Sequence, residues 1–349
     1  MARVSTAGDK ECLWDSGTVV ADRLTPSQGA SSKDRDFRRI EQRPVPDTPT
    51  RLSALTITID PPAVVPPAAD ARTIALLRKA HALGVTTFDV AEARFPERAE
   101  RLIAMAFPEP RTGVSVIAGR SFETLARERK PPGEGTDSPD LASAITESLE
   151  RSLQRLAPVR ISIVEWTADA GSASETSSGD AKLPGMRLPG PAPLWAVRLP
   201  TSPAVLPTTS PPVGLFSGEL SLLRTDLIPR FEGEAEKKRL RLIARDPFSS
   251  GRLDGTRFAR SGTFGGPGTA PVDLRRLHEE FDPILRLGFL TDRHRRTLAQ
   301  AALQFVLRMP WVVTAVVPLP DPERFDEVLG FSSCPALTPE DLSRLDLIK

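Results

Sequence analysis

Apolar positions along this chain fall into two alternating rhythms, short β-rich runs and longer segments with helical spacing. Ala54-Leu55-Thr56-Ile57-Thr58-Ile59 is the first such run, and Pro61-Pro62 ends it. From Ala71 to Leu83, the positions Ile74, Leu77, Arg78, Ala80 and His81 follow a helical period. A glycine turn at Gly84 then leads into a strand from Val85 to Asp89. Pro96 stands at the first position of a predicted helix ending at Phe107, with Leu102, Ile103, Met105 and Ala106 on one side. Val114 to Ala118 is another buried strand. The clearest helix runs from Asp137 to Leu156, where Leu141, Ile145, Leu149, Leu153 and Leu156 mark the buried face. Ile161 to Val164 is a strand that runs into Glu165-Trp166, and Leu194 to Val197 is the next. Beyond these the pattern predicts strands near Val213–Phe216, Leu240–Ala244 and Val312–Val317, with helices near Leu227–Lys237 and Arg295–Arg308.

About eight β-runs separated by helical segments are what parallel strands closed by helical crossovers require. The predicted fold is an α/β (β/α)8 TIM barrel over residues 51–349, preceded by a disordered N-terminal arm over 1–50, which is polar and lacks periodicity. A doubly wound open sheet is the alternative, but no G-x-G-x-x-G turn comes after an early strand. The rhythm breaks around 168–212, where Gly, Ser and Pro accumulate and a barrel should supply two crossover helices. Proline inside a helix costs about 3 kcal/mol, so those crossover helices are expected to be eroded.

Composition narrows the function. With 46 basic and 45 acidic residues among 349, the net charge of +1 gives no field that would gather nucleic acid or an anionic membrane. No run reaches the length of a membrane span and no apolar leader is visible, so the expected location is cytoplasmic. Cys12 and Cys334 are the 2 cysteines, and His81, His278 and His294 the 3 histidines, too scattered for a disulfide framework or a structural zinc site. The count of tyrosine is 0, so no phenol can serve as a proton donor anywhere in the chain.

Three segments together resemble the aldo-keto reductase family. Ala82-Leu83-Gly84-Val85-Thr86-Thr87-Phe88-Asp89-Val90-Ala91 is similar to its "ALGVTFFDTA" segment, and Leu242 to Gly255 to its "VIAYSPLGRGLLTG" segment. Leu298 to Leu307, then Val312 to Pro318 and Pro322 to Glu327, resembles its C-terminal helix, strand and cofactor-binding helix. The resemblance implies a (β/α)8 barrel with NADPH across the C-terminal ends of the strands. It also implies carbonyl reduction by hydride transfer, with a tyrosine as general acid, a lysine that lowers its pKa, an aspartate paired with the lysine and a histidine that orients the carbonyl.

The chain departs from that pattern at nearly every chemical position. Asp89 falls on the aspartate, but Arg94 or Phe95 meets the tyrosine. Gly119 or Arg120 meets the lysine, and Glu165 meets the histidine. A hydride arriving at carbon leaves an alkoxide that needs a proton from a tuned acid, and none of these arginines is one. Among cofactor positions, Ser217 meets a glutamine, and Arg245 meets the aromatic that stacks on the nicotinamide, just before Pro247. Pro318-Leu319-Pro320-Asp321 replaces a glycine-and-basic phosphate loop, although Arg324 and Glu327 remain on the next helix. NADPH is thus the one cofactor implied, at a site with little left to hold it.

The residues leave three readings open. The first is a pseudoenzyme that keeps the barrel for binding a small molecule or protein partner of unknown identity, without nucleic acid or membrane. The second is a divergent NADPH-dependent oxidoreductase, of carbonyl reductase or alcohol dehydrogenase type, that moves protons through Glu165 or water. The third is a different enzyme built from the charged strand ends, against which stands the expectation that Arg120 or Arg245 simply neutralises Asp89 or Glu165 in a filled pocket.

Overall fold

The structure, a computed structural model, describes residues 37–110, 112–121, 141–167, 181–182, 193–199, 206, 209–210, 214–256, 281–292 and 296–348. The described residues begin with β1 (Gln42–Pro44), β2 (Arg51–Ser53) and β3 (Leu55–Thr58), then α1 (Pro67–Ala82), β4 (Thr87–Asp89), α2 (Pro96–Ala106) and β5 (Ser115–Ser121). Next come α3 (Leu141–Leu156), β6 (Arg160–Thr167), β7 (Ala181–Lys182), β8 (Leu194–Arg198), β9 (Thr209–Ser210), β10 (Leu215–Glu219) and α4 (Ile228–Glu232). The chain ends with β11 (Arg241–Arg245), α5 (Phe289–Asp292), α6 (Leu298–Leu307), β12 (Val312–Pro318), α7 (Pro322–Leu329) and α8 (Pro339–Ile348).

Parallel pairing closes β10-β11-β12-β3-β4-β5-β6-β8 into one barrel, as the alternation of the sequence predicts. Helix ends are set locally. Pro67 and Pro96 start α1 and α2, where a missing N–H costs nothing. Thr297 and Gln300 form a reciprocal capping box at α6. After α1, Gly84 turns the chain at φ +100°, and a Cβ there would lie 2.8 Å from Arg39 Cγ and 3.0 Å from the backbone of Ile40, so the turn requires glycine. Helix α4 is shorter than the predicted span to Lys237, because Gly233 comes directly after its last turn. The predicted helix from Asp137 is described from Leu141 onward, with Ile145, Leu149 and Leu156 fully buried.

Two apolar layers result. The larger lies between strands and helices and contains Phe88, Val116, Val164, Leu242 and Ala244. The smaller fills the barrel itself with Ile117, Ile163, Ala196, Leu215, Ile243, Val313 and Val316. Side chains alternate along a strand, so a residue two positions after an inward one also faces inward. That rule places Gly119, Glu165, Arg198, Ser217 and Arg245 one layer above the apolar filling, at the C-terminal mouth.

The opposite end is stopped by a β1–β2 hairpin. Val45 and Leu52 join the barrel filling, and Arg43 donates to the carbonyls of Val312 at 2.8 Å and Leu307 at 2.9 Å. The arm expected over 1–50 is therefore corrected at its inner boundary: residues 37–50 belong to the folded body, with Ile40 and Val45 buried. Residues 1–36 lie outside the described residues. So does most of 168–212, of which β8 with its flanking residues, Leu206, β7 and β9 are described; β7 and β9 pair in parallel. No helix among the described residues is long and apolar enough to cross a membrane.

Candidate functional site

Asp89 ends β4 with its side chain fully buried, because Phe88 takes the outward position in the larger core. Arg245, the last residue of β11, reaches across the mouth to meet it. Its Nη2 donates to Asp89 Oδ1 at 2.8 Å and its Nη1 to Oδ2 at 3.2 Å, a two-pronged pairing that suits the guanidinium fork. Nη2 and Nε also donate to Glu165 Oε2 at 2.8 and 2.9 Å, and Nε to the Ser217 hydroxyl at 2.9 Å. Arg198 closes the network from above: it pairs with the other oxygen of Glu165 at 3.1 Å and with Glu92, on the loop after β4, at 2.5 Å.

Burial and partners act in opposite directions on these charges. Burial pushes the Glu165 carboxyl up, but Arg245 and Arg198, with the hydroxyl of Ser217, bring it below its ordinary value of 4.5. Burial likewise lowers Arg245, and Asp89 and Glu165 more than reverse this, so the guanidinium stays protonated throughout. Glu165 is consequently an ionised acceptor and a poor general acid.

Not every predicted site residue reaches this network. Arg94 does not: its amide and Nε bind the two oxygens of Asp60 at 2.9 and 3.0 Å on the exposed rim, apart from the Arg245 network. Arg120 lies on β5 in register with Trp166, and its side chain is outside the described residues. Gly119, the other candidate for the lysine position, has no room for a side chain. A Cβ there would sit 2.3 Å from the carbonyl oxygen of Ala91 and 2.6 Å from its Cα. Arg198 was missed by the sequence reading, although its place two residues beyond inward Ala196 is the signal that would have found it.

Farther along the mouth, Pro247 is buried after β11 and Pro318 is exposed at the end of β12. Arg324 on α7 pairs with Glu327 at 2.9 Å and lies 3.7 Å from Asp254, so its charge is already matched by two carboxylates. Glu327 Oε1 is buried without a hydrogen-bond partner among the described residues.

Against this geometry stand the comparisons with known proteins. No family model and no curated protein matches the sequence. Solved structures do match. An aldo-keto reductase from Bacillus halodurans in its holo form superimposes with a TM-score of 0.59 at 13% identity, over 89% of this chain and 96% of that one. The fold is that of the aldo-keto reductases. A glycerol dehydrogenase from Gluconobacter oxydans superimposes with a TM-score of 0.58 at 18% identity, over 88% and 94% of the two chains. A protein from Pseudomonas aeruginosa assigned to the aldo-keto reductases gives a TM-score of 0.51 at 16% identity, over 86% and 96%.

The residues present do not fit NADPH, the cofactor of that family. Arg245 stands where the nicotinamide-stacking aromatic is expected and directs a cation into the mouth instead. At the other end, the paired charge of Arg324 leaves little attraction for a phosphate, and the lone acceptor Glu327 Oε1 adds none.

Proposed function

We propose that this protein is an aldo-keto reductase-like barrel that has lost NADPH-dependent carbonyl reduction and acts by binding a small molecule or a protein partner. One observation carries the reading: the Arg245 guanidinium, 2% exposed, fills the space between Asp89 and Glu165. A group paired on two sides cannot donate a proton to an alkoxide, and among the described residues the network offers no other acid. The divergent-oxidoreductase reading moves the proton through Glu165 or water, and the lowered pKa of that carboxyl works against the first of these routes. The proposal includes a cytoplasmic location, supported by a chain with 2 cysteines far apart in sequence.

Titrating the full chain with NADPH while monitoring the dinucleotide's fluorescence, and then screening carbonyls with both nicotinamide cofactors, tests the reading. The expected result is unchanged emission and no cofactor oxidation. Saturable binding together with oxidation that Asp89→Ala abolishes would overturn it.

A further inference from the structure

Beside the plugged mouth, where the chain leaves β10 and β11, lies a second feature that takes no part in the Arg245 network. It is a small cavity of about 80 Å³ with almost entirely polar walls. Glu219 and Asp246 contribute carboxylates, Arg224 and Arg252 guanidiniums, and Ser221, Ser249 and Ser250 hydroxyls. Its formal charges balance, with two of each sign brought to one place.

The hydroxyls leave a donor over. Ser221 Oγ and Ser249 Oγ are 2.7 Å apart, and both residues are buried, at 1% and 5% exposure. Only one proton can lie between two oxygens, and Ser221 Oγ also accepts from the amide of Leu223 at 3.2 Å. The second hydroxyl proton has no acceptor among the described residues, a situation that buried hydroxyls seldom tolerate. Arg252 adds more donors: its Nε binds the carbonyl of Ser249 at 3.1 Å, while its terminal nitrogens form no ion pair among the described residues. Arg224, by contrast, is already paired with Glu219.

The acidic side is equally built. Asp246 accepts from the Ser250 amide at 2.6 Å and from its hydroxyl at 3.2 Å. Burial pushes its carboxyl above the ordinary value, and Ser250, Arg224 and Arg252 only partly offset this. A cation beside it would favour the ionised form. The loop is also held in an uncommon conformation, with Asp246, Ser249 and Ser250 at φ of 51°, 51° and 57°. Such non-glycine residues cost on the order of 1 kcal/mol or more each and cluster at ligand clamps.

A phosphate would meet two carboxylates here, and a simple amine two guanidiniums. A ligand carrying both signs within a few ångströms satisfies both walls. We propose that this cavity binds the ammonium and carboxylate head of a free α-amino acid or similar small zwitterion. The carboxylate is received by Arg252 and the unclaimed serine proton, and the ammonium by Asp246 and Glu219. The site does not depend on the mouth being closed by Arg245, so its failure and that of the pseudoenzyme reading are separate results.

Calorimetric titration of the full chain with glycine, acetate, methylammonium and inorganic phosphate tests it. Glycine should bind saturably, with acetate and methylammonium weaker by at least about tenfold because each keeps only one charge-assisted contact set. Arg252→Gln should weaken glycine binding by a similar factor, and Asp246→Asn likewise. Thermal unfolding of both variants shows whether they remain folded. Absent glycine binding, phosphate or acetate binding as tight as glycine, or undiminished glycine binding by folded Arg252→Gln would each overturn the proposal.

Discussion

At Arg245 two large terms oppose each other, the desolvation of a buried cation and its attraction to two buried carboxylates. Removing one partner leaves the other charges uncompensated. Arg245→Ala is therefore expected to destabilise the protein by about 3–5 kcal/mol in denaturant unfolding, far more than a surface arginine. Glu165 adds a pH dependence of definite sign. Its folded pKa lies below 4.5, so its contribution is complete above that value and is lost as pH falls through the folded pKa. Unfolding free energy should decline on acidification below about pH 4.5, and Glu165→Gln should give a lower but flatter profile. Asp89 and Glu165 were legible because each comes after an apolar strand run whose alternation aims it inward. Arg94 was not, because the count along a loop after a strand does not reveal which way the loop turns; Asp60 holds it at the rim.

Among the elements, strand β5 has no space for a longer side chain at Gly119, one of the two positions that the resemblance sets against the family's lysine. The Ala91 backbone occupies the place of a side chain on Gly119, so β5 and the loop after β4 approach more closely than any other residue would permit. Gly119→Ala should lower stability by about 1–3 kcal/mol through overpacking, and Gly119→Lys by more; equilibrium denaturation of the three proteins measures both. Strands and long helices were readable since period and length agree, as in α6, whose capping box fixes its start. Short elements were not: α4 ends early at a glycine, and β1 is only 3 residues of polar sequence with no alternation to betray it.

For the whole molecule, the hairpin stopper shows the same limit of local reasoning. Gln42, Arg43 and Pro44 look like linker, yet Arg43 reaches carbonyls on α6 and β12, hundreds of positions away in sequence, which no window of residues can display. A chain beginning at Arg51 would expose the surfaces now covered by Ile40 and Val45, a loss of about 3–6 kcal/mol, readable as a lower denaturant midpoint. Barrel closure has a different consequence, one that concerns time. Strand β3, near the start of the barrel, finds one of its two neighbours only in β12, the last strand. During synthesis its outer edge stays unpaired until residue 318 has left the ribosome, while the other strands are already able to zip together in order. The nascent chain thus carries an open β-edge for most of its production, and a chaperone that shields such edges would act on β3 first.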